Sequence, residues 1–197
     1  MTALRESGDR ARRASDAALA AILLAVAPRE LGGASIRLAA GSVAEAWIDL
    51  AVPEVPGRPR PVRLPIGLTN EQLAGGVDLA ATLAVGRKVM QPGLIERNKG
   101  CALIVPSAER WSAEAAACLV GRIDQRCDAD ADGPTEGHLL LALDEGCGED
   151  ERPPELLCDR LAFLIDLAGL READVAGPTD LTDRLEAARA LHPNVAV

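Results

Sequence analysis

The sequence predicts an α/β fold, a parallel sheet flanked by helices on both faces, and three observations carry that reading. Two short runs, Cys101 to Val105 and Leu139 to Leu143, are apolar throughout, as expected of strands covered on both sides rather than one. Segments of helical periodicity alternate with them, and the Gly and Pro clusters in between are turn-sized. Finally, 48% of the residues are hydrophobic and 26% charged in a chain of 197, an ordinary globular composition at a length that supports one large core.

The first element in order is a helix. Leu19, Ile22, Leu23 and Val26 recur at i, i+3, i+4 and i+7, with Ser15 as the cap. The run Ala17 to Ala27, preceded by Arg5, Arg10, Arg12 and Arg13 and closed by Ala25-Val26-Ala27, imitates a secretory leader. Glu6, Asp9 and Asp16 interrupt its basic region, so the amphipathic helix is the better reading. After Pro28 and Gly32-Gly33, a strand from Ala34 to Leu38 leads through a turn at Gly41 into a helix with Val43, Trp47 and Leu50 on one face. Residues 51 to 63, with Pro53, Pro56, Pro59 and Pro61, read as a loop or an edge segment. Thr69-Asn70-Glu71-Gln72 is a capping box opening a helix toward Leu73. The helical signal continues from Leu79 to Val85 after Gly75-Gly76, and Pro92-Gly93 is a turn. Past the strand ending at Val105, Ser112 caps a helix carrying Ala116, Leu119, Val120 and Ile123. Leu161 to Leu167 reads as a further strand, and Leu181, Leu185, Ala188 and Leu191 as a last helix that stops before Pro193.

Charge and composition exclude several function classes. The net charge is -9, which argues against nucleic acid or an anionic membrane as the main partner. Residues 127 to 159 hold eleven acids against one arginine, Arg152. With Trp47, Trp111 and Phe163 the only aromatics, stacking platforms for single-stranded nucleic acid are nearly absent. No apolar run approaches the roughly 18 residues that a membrane span needs. The five cysteines form no CxxC pair and read as reduced thiols of a cytoplasmic protein.

A strand, turn and helix near the start of an α/β chain invite a test for the phosphate-binding pattern GxxxxGK[ST]. The register through Gly41 reads Leu38-Ala39-Ala40-Gly41-Ser42-Val43-Ala44-Glu45. Leu38 and Val43 stand at the glycine positions, Ala44 at the lysine and Glu45 at the Mg²⁺ ligand. Ser42 and Glu45 instead spell a capping box, which would satisfy the same N–H groups as a phosphate and add a repelling carboxylate. The strand Cys101 to Val105 runs into Val105-Pro106-Ser107, where a nucleotide hydrolase would place Mg²⁺-holding acids. Asp128, Asp130, Asp132 and Gly133 imitate a calcium loop but end in Leu139 at its twelfth position. The acids Asp144, Glu145, Glu149, Asp150 and Glu151 read as a solvated loop, and His138 and His192 are isolated. No metal site is expected. Glu45→Lys, or Ala44→Lys with Glu45→Ser, is expected to leave the fold intact, because the helix start rests on Ser42.

The segments Leu64-Pro65-Ile66-Gly67-Leu68-Thr69, Gly75-Gly76-Val77-Asp78-Leu79, Pro92-Gly93-Leu94-Ile95, Leu143-Asp144-Glu145-Gly146, Asp150-Glu151-Arg152-Pro153-Pro154 and Asp159-Arg160-Leu161 resemble, in order, the AAA+ module of magnesium chelatase. The match spans roughly residues 17 to 191, and the degenerate nucleotide motifs look like the D subunit rather than the I subunit. The resemblance implies a P-loop-like sheet over residues 1–170, with 171–197 as a linker and the start of a helical lid. It further implies a platform that forms stacked rings with the ATPase I subunit, itself binding no cofactor tightly while the I subunit uses ATP and Mg²⁺. With the H subunit, that complex inserts Mg²⁺ into protoporphyrin IX on the way to chlorophyll or bacteriochlorophyll. The family's integrin-type domain with its DxSxS motif, through which the H subunit would be met, has no counterpart in these residues. Arg160 falls at the family's Asp-Arg position, where the arginine reaches a neighbouring subunit's nucleotide; a pair with Asp159 or Glu155 is the plain alternative. Asp144 and Glu145 compete for the place of the sensor asparagine. The competing class is an AAA+-derived interaction module of an unrelated complex, and an independent ATPase is a third reading.

Overall fold

The computed structural model describes residues 2–38, 42–55, 57–129, 139–148, 150–175 and 181–191. The chain opens with helix α1 (Thr2–Val26), a single turn α2 (Pro28–Leu31) and strand β1 (Gly33–Arg37). Helix α3 (Val43–Ala51) and a 3₁₀ turn (Val52–Glu54) lead to the short strand β2 (Pro61–Arg63). An excursion follows: α4 (Asn70–Ala74), β3 (Gly75–Val77), α5 (Leu79–Val85), β4 (Met90–Pro92) and α6 (Leu94–Arg97). Strand β5 (Ala102–Val105), helix α7 (Ala113–Ala129), strand β6 (Leu139–Asp144), helix α8 (Glu155–Asp159) and strand β7 (Phe163–Asp166) complete the sheet. The turn α9 (Glu172–Val175) and helix α10 (Leu181–Leu191) close the described chain.

The five strands of the main sheet are parallel, in the order β2-β5-β6-β1-β7. Their side chains sort the helices into two layers. Ile36, Ile104, Leu141 and Leu143 face α1 and α3 in one core, whereas Leu103, Val105, Leu140 and Ala142 face α7 and α8 in the other. Burial on both faces is the reason that β5 and β6 read as unbroken apolar runs. Gly33, at φ 146°, lets β1 pass so close to Leu140 that a Cβ would strike that residue's carbonyl. Of residues 51 to 63, expected as a loop or an edge segment, Pro61–Arg63 forms the edge strand β2, while Ala51 ends α3 and Val52–Glu54 make a 3₁₀ turn.

α1 begins earlier than its expected cap and runs through Ser15. Its buried face is also different: Ala17, Ala20, Ala21 and Leu24 enter the core, while Leu19 and Leu23 are exposed. Small side chains win because α1 lies close against α3, where the Trp47 indole donates to the Ala17 carbonyl at 2.9 Å. Arg10 grips Asp174 with two hydrogen bonds of 2.8 Å, and Arg13 donates to the Ala168 carbonyl at 2.6 Å. The helix therefore ties down the segment that follows β7. Val175 is buried in the same core, and Leu185 of α10 packs on Ile22 and Ala25 of α1.

The Thr69 capping box is present, with Gln72 N–H donating to the Thr69 hydroxyl and Thr69 N–H to the Gln72 side chain. The helical signal resumes at Leu79–Val85 as expected, with a strand on either side of it. Gly75 (φ 87°) ends α4 and opens the antiparallel β3–β4 hairpin, with α5 as the hairpin's tip. Gly93 closes the root, where a Cβ would meet backbone atoms of Leu73 and Gly75. Ser112 caps α7 by accepting from Ala115 N–H at 3.1 Å, and Ala116, Leu119, Val120 and Ile123 are buried as predicted. Among the described residues, no helix is long and apolar enough to cross a membrane.

Candidate functional site

Ligands of open parallel sheets bind beyond the carboxyl ends of the strands, where successive connections leave to opposite faces. Here that point lies between β1 and β6: α3 follows β1 into one core, and α8 follows β6 into the other. The side chains that end these two strands are Arg37 and Asp144, direct partners in the register.

At this point the chain's own groups pair with one another. Arg37 Nη1 lies 3.4 Å from Asp144 Oδ2, and Arg37 Nη2 donates to the Gly146 carbonyl at 3.2 Å. Asp144 is buried, its Oδ1 accepting from Gly146 N–H at 3.1 Å and its carbonyl accepting from Leu38 N–H at 3.1 Å. Leu38, at the first position of the tested phosphate register, is itself buried. Beside it, Ser107 donates to Glu145 Oε2 at 2.6 Å, and Glu109 accepts from Glu145 N–H at 3.0 Å. Ser107 holds a left-handed backbone (φ 43°, ψ 54°), a conformation a non-glycine residue keeps only when its surroundings impose it. The hydroxyl–carboxylate bond to Glu145 is one such constraint.

The register Leu38, Gly41, Ser42, Val43, Ala44, Glu45 is brought together only in part. Gly41 lies outside the described residues, as do Asp130, Asp132, Gly133, His138, Glu149 and His192. Ala44 is buried and packs into the core, with Val43 partly buried beside it. The Ser42–Glu45 capping box does not form: Ser42 has helical angles (φ -75°, ψ -5°) and makes no cap bond. Its hydroxyl instead donates to Glu172, and Glu45 pairs with Arg63 on the edge strand. Both carboxylate pairings are long-range, so local spacing could not reveal them. The residues present do not fit a polyphosphate. Carboxylates stand at the crevice (Asp144, Glu145, Glu109) and at the helix start (Glu172), and the lysine position is an alanine inside the core. Among the described residues, no group of three or more His, Cys, Asp or Glu side chains is placed to hold a metal ion.

Arg160 lies at the other end of the sheet. It caps α8, and its carbonyl oxygen sits 2.9 Å from the place a Cβ would take on Gly32, the residue before β1. The five residues of β1 put about 16 Å between this point and the crevice. Its guanidinium donates to Asp124 of α7 at 2.6 Å, rather than pairing with Asp159 or Glu155. Arg160 therefore has no access to the crevice of its own chain.

Arg37 and the Ser107–Glu145–Glu109 group were not legible as a site. The available signal was weak: an arginine and an aspartate each terminating an apolar strand.

Strand order and the switch point between β1 and β6 together define an AAA+-type α/β module. No family model matches the chain. It is 35% identical over 173 residues to the magnesium-chelatase 60 kDa subunit of Rhodobacter capsulatus, a match covering 88% of this chain and 28% of that protein. The corresponding subunit of Cereibacter sphaeroides is 36% identical over 168 residues, 85% of this chain and 27% of the relative. Among solved structures, a chain of the complex between subunits BchI and BchD of magnesium chelatase, based on a single-particle cryo-EM reconstruction, shares the fold. Its TM-score is 0.51 at 17% identity, covering 90% of this chain and 68% of that one. The chain is thus a homologue of the D-type, 60 kDa subunits of magnesium chelatase, spanning little more than a quarter of their length.

Proposed function

We propose that this chain is the non-hydrolytic AAA+ platform of a cytoplasmic magnesium chelatase. In this reading it assembles, as a homo-oligomeric ring, on the ATPase I subunit, which uses ATP and Mg²⁺, while the H subunit is met by parts of the longer protein outside this chain. The complex inserts Mg²⁺ into protoporphyrin IX. The observation that supports the reading is the burial of Ala44 in the core at the lysine position, beside the Arg37–Asp144 pair at the strand ends, in a chain homologous to the D-type subunits. An interaction module of an unrelated complex has no support in the relatives described above.

The proposal gives Arg160 a role in trans. Its position at the far end of the sheet from the crevice suits a group offered to a neighbouring subunit, for which it would exchange Asp124 for the neighbour's nucleotide. An arginine supplied in this way stabilises the charge of phosphoryl transfer by a factor of about 10³ or more. The test has two arms. Co-elution of the chain with the I subunit is expected in the presence of ATP, and its absence would overturn the platform reading. In the reconstituted complex with the D subunit limiting, Arg160→Ala is expected to lower chelation while leaving I-subunit binding intact. Unchanged chelation would remove the trans role and leave Arg160 as a tie between α8 and α7.

A further inference from the structure

Helix α5 is built almost wholly of apolar residues and buries none of them. Leu79 is 71% and Leu83 83% exposed, and Val77, Val85 and Met90 around them are exposed as well. The one polar side chain of the helix, Thr82, is engaged within the hairpin, accepting from Val89 N–H at 3.0 Å. Contiguous apolar surface of this kind marks an interaction site. Its charge is specific too. Its tip carries Arg87 and Lys88, and its nearest acid, Asp78, is taken up in capping α5 through Ala81 N–H. Both cations are exposed and unpaired among the described residues.

Helix α8 has the complementary character. Glu155, Leu156 and Asp159 are exposed on it, with Asp150, Glu151 and the oppositely charged Arg152 just ahead. An acidic face with an apolar residue at its centre matches an apolar face with two cations at its border. The two faces stand apart in the fold. The hairpin that carries α5 is rooted on α4 and α6, and α7 packs against both α4 and α8. Complementary surfaces on separate elements of one chain allow a head-to-tail contact, which closes into a ring when the rotation permits.

We infer that the α5 tip of one copy, with Arg87 and Lys88, docks on the Glu155–Leu156–Asp159 face of a second copy. The inference deepens the platform reading by specifying its copy-to-copy contact, yet it is tested on this chain alone. By light scattering after size exclusion, the chain is expected to self-associate with increasing concentration, less so at 1 M salt, where screening is nearly complete at about 3 Å. Leu83→Asp, at a solvent-facing position, is expected to weaken association by about tenfold or more, equivalent to about 1.4 kcal/mol, with unchanged circular dichroism. Arg87→Glu with Lys88→Glu is expected to do the same, and adding Glu155→Lys with Asp159→Lys to restore it. A monomer at all concentrations, self-association indifferent to Leu83→Asp, or a charge swap without rescue would overturn the inference. So would Leu83-dependent sedimentation with anionic phosphatidylserine vesicles in place of self-association, since the occupant would then be lipid. Failure of the platform reading looks different: self-association persists while co-elution with the I subunit is absent.

Discussion

Arg37 and Asp144 illustrate how one pair decides the state of a crevice. Asp144 has a side chain only 3% exposed, so its carboxylate depends on Arg37 and on Gly146 N–H for compensation. Breaking such a pair from one side leaves a buried, uncompensated charge, which costs about 3 kcal/mol or more. Arg37→Ala is therefore expected to lower the unfolding free energy measured by urea titration by that order, and Asp144→Asn by less, because the amide keeps a hydrogen-bonding oxygen without the charge. Equal losses in the two variants would contradict this account. A second pairing sets a pH dependence. The Arg171 N–H, and after it the Arg10 guanidinium, hold the Asp174 carboxyl below the usual carboxylate range. A carboxyl depressed in the folded state contributes stability that is complete above its unfolded value, about 3.9, and is lost as pH falls through the folded one. The stability gap between the parent chain and Asp174→Asn is thus expected to be steady at pH 5 to 7 and to shrink below about pH 4. Urea titrations across that range measure it.

At the scale of elements, the start of α3 departs most from local expectation. The S-x-x-E spacing spells a capping box, but Glu172 and Arg63 take the two side chains, so tertiary pairing outcompetes the cap. Ala44 is 2% exposed, and this reverses part of the expectation for substitutions here. Ala44→Lys, alone or with Glu45→Ser, forces an ammonium into an apolar core and is expected to cost about 3 kcal/mol or more, read as a large fall in melting temperature. Glu45→Lys removes only a surface pair with Arg63, worth about 1 kcal/mol or less. The contrast between neighbouring positions checks the register of α3, and equal tolerance of both lysines would show Ala44 to be misplaced. By comparison, the capping boxes or caps at Thr69 and Ser112 form as their sequences spell them, because no distant carboxylate or guanidinium competes.

For the whole molecule, the arrangement of strands and the side chains at their ends lead to one expectation about catalysis. Phosphoryl transfer asks a protein mainly for positioning and charge stabilisation. Ala44 supplies no cation, Pro106 and Ser107 supply no carboxylate after β5, and Asp144, Glu145 and Glu172 oppose an incoming polyphosphate. The purified chain is expected to release no phosphate from ATP above the rate of buffer alone, in a malachite-green assay with Mg²⁺. Turnover that a substitution within residues 42 to 45 abolishes would overturn this.

The sequence by itself determined the layer class, because apolar runs of strand length have nowhere to go but a sheet covered on both faces. It also determined the loss of the phosphate motif, since the missing glycines and lysine are a matter of residue identity. The resemblance to the chelatase family was likewise carried by short ordered segments, and the relatives bear it out. Only the tertiary structure decided which side chains pair at the strand ends, because Arg37 and Asp144 are 107 residues apart and meet through strand register. It also decided that α1 buries alanines rather than Leu19 and Leu23, since closeness to Trp47 selects small residues over large ones. Finally, it assigned Arg160 to Asp124 and left the leucines of α5 in solvent, for periodicity shows that a face is apolar while only packing shows whether the same chain covers it.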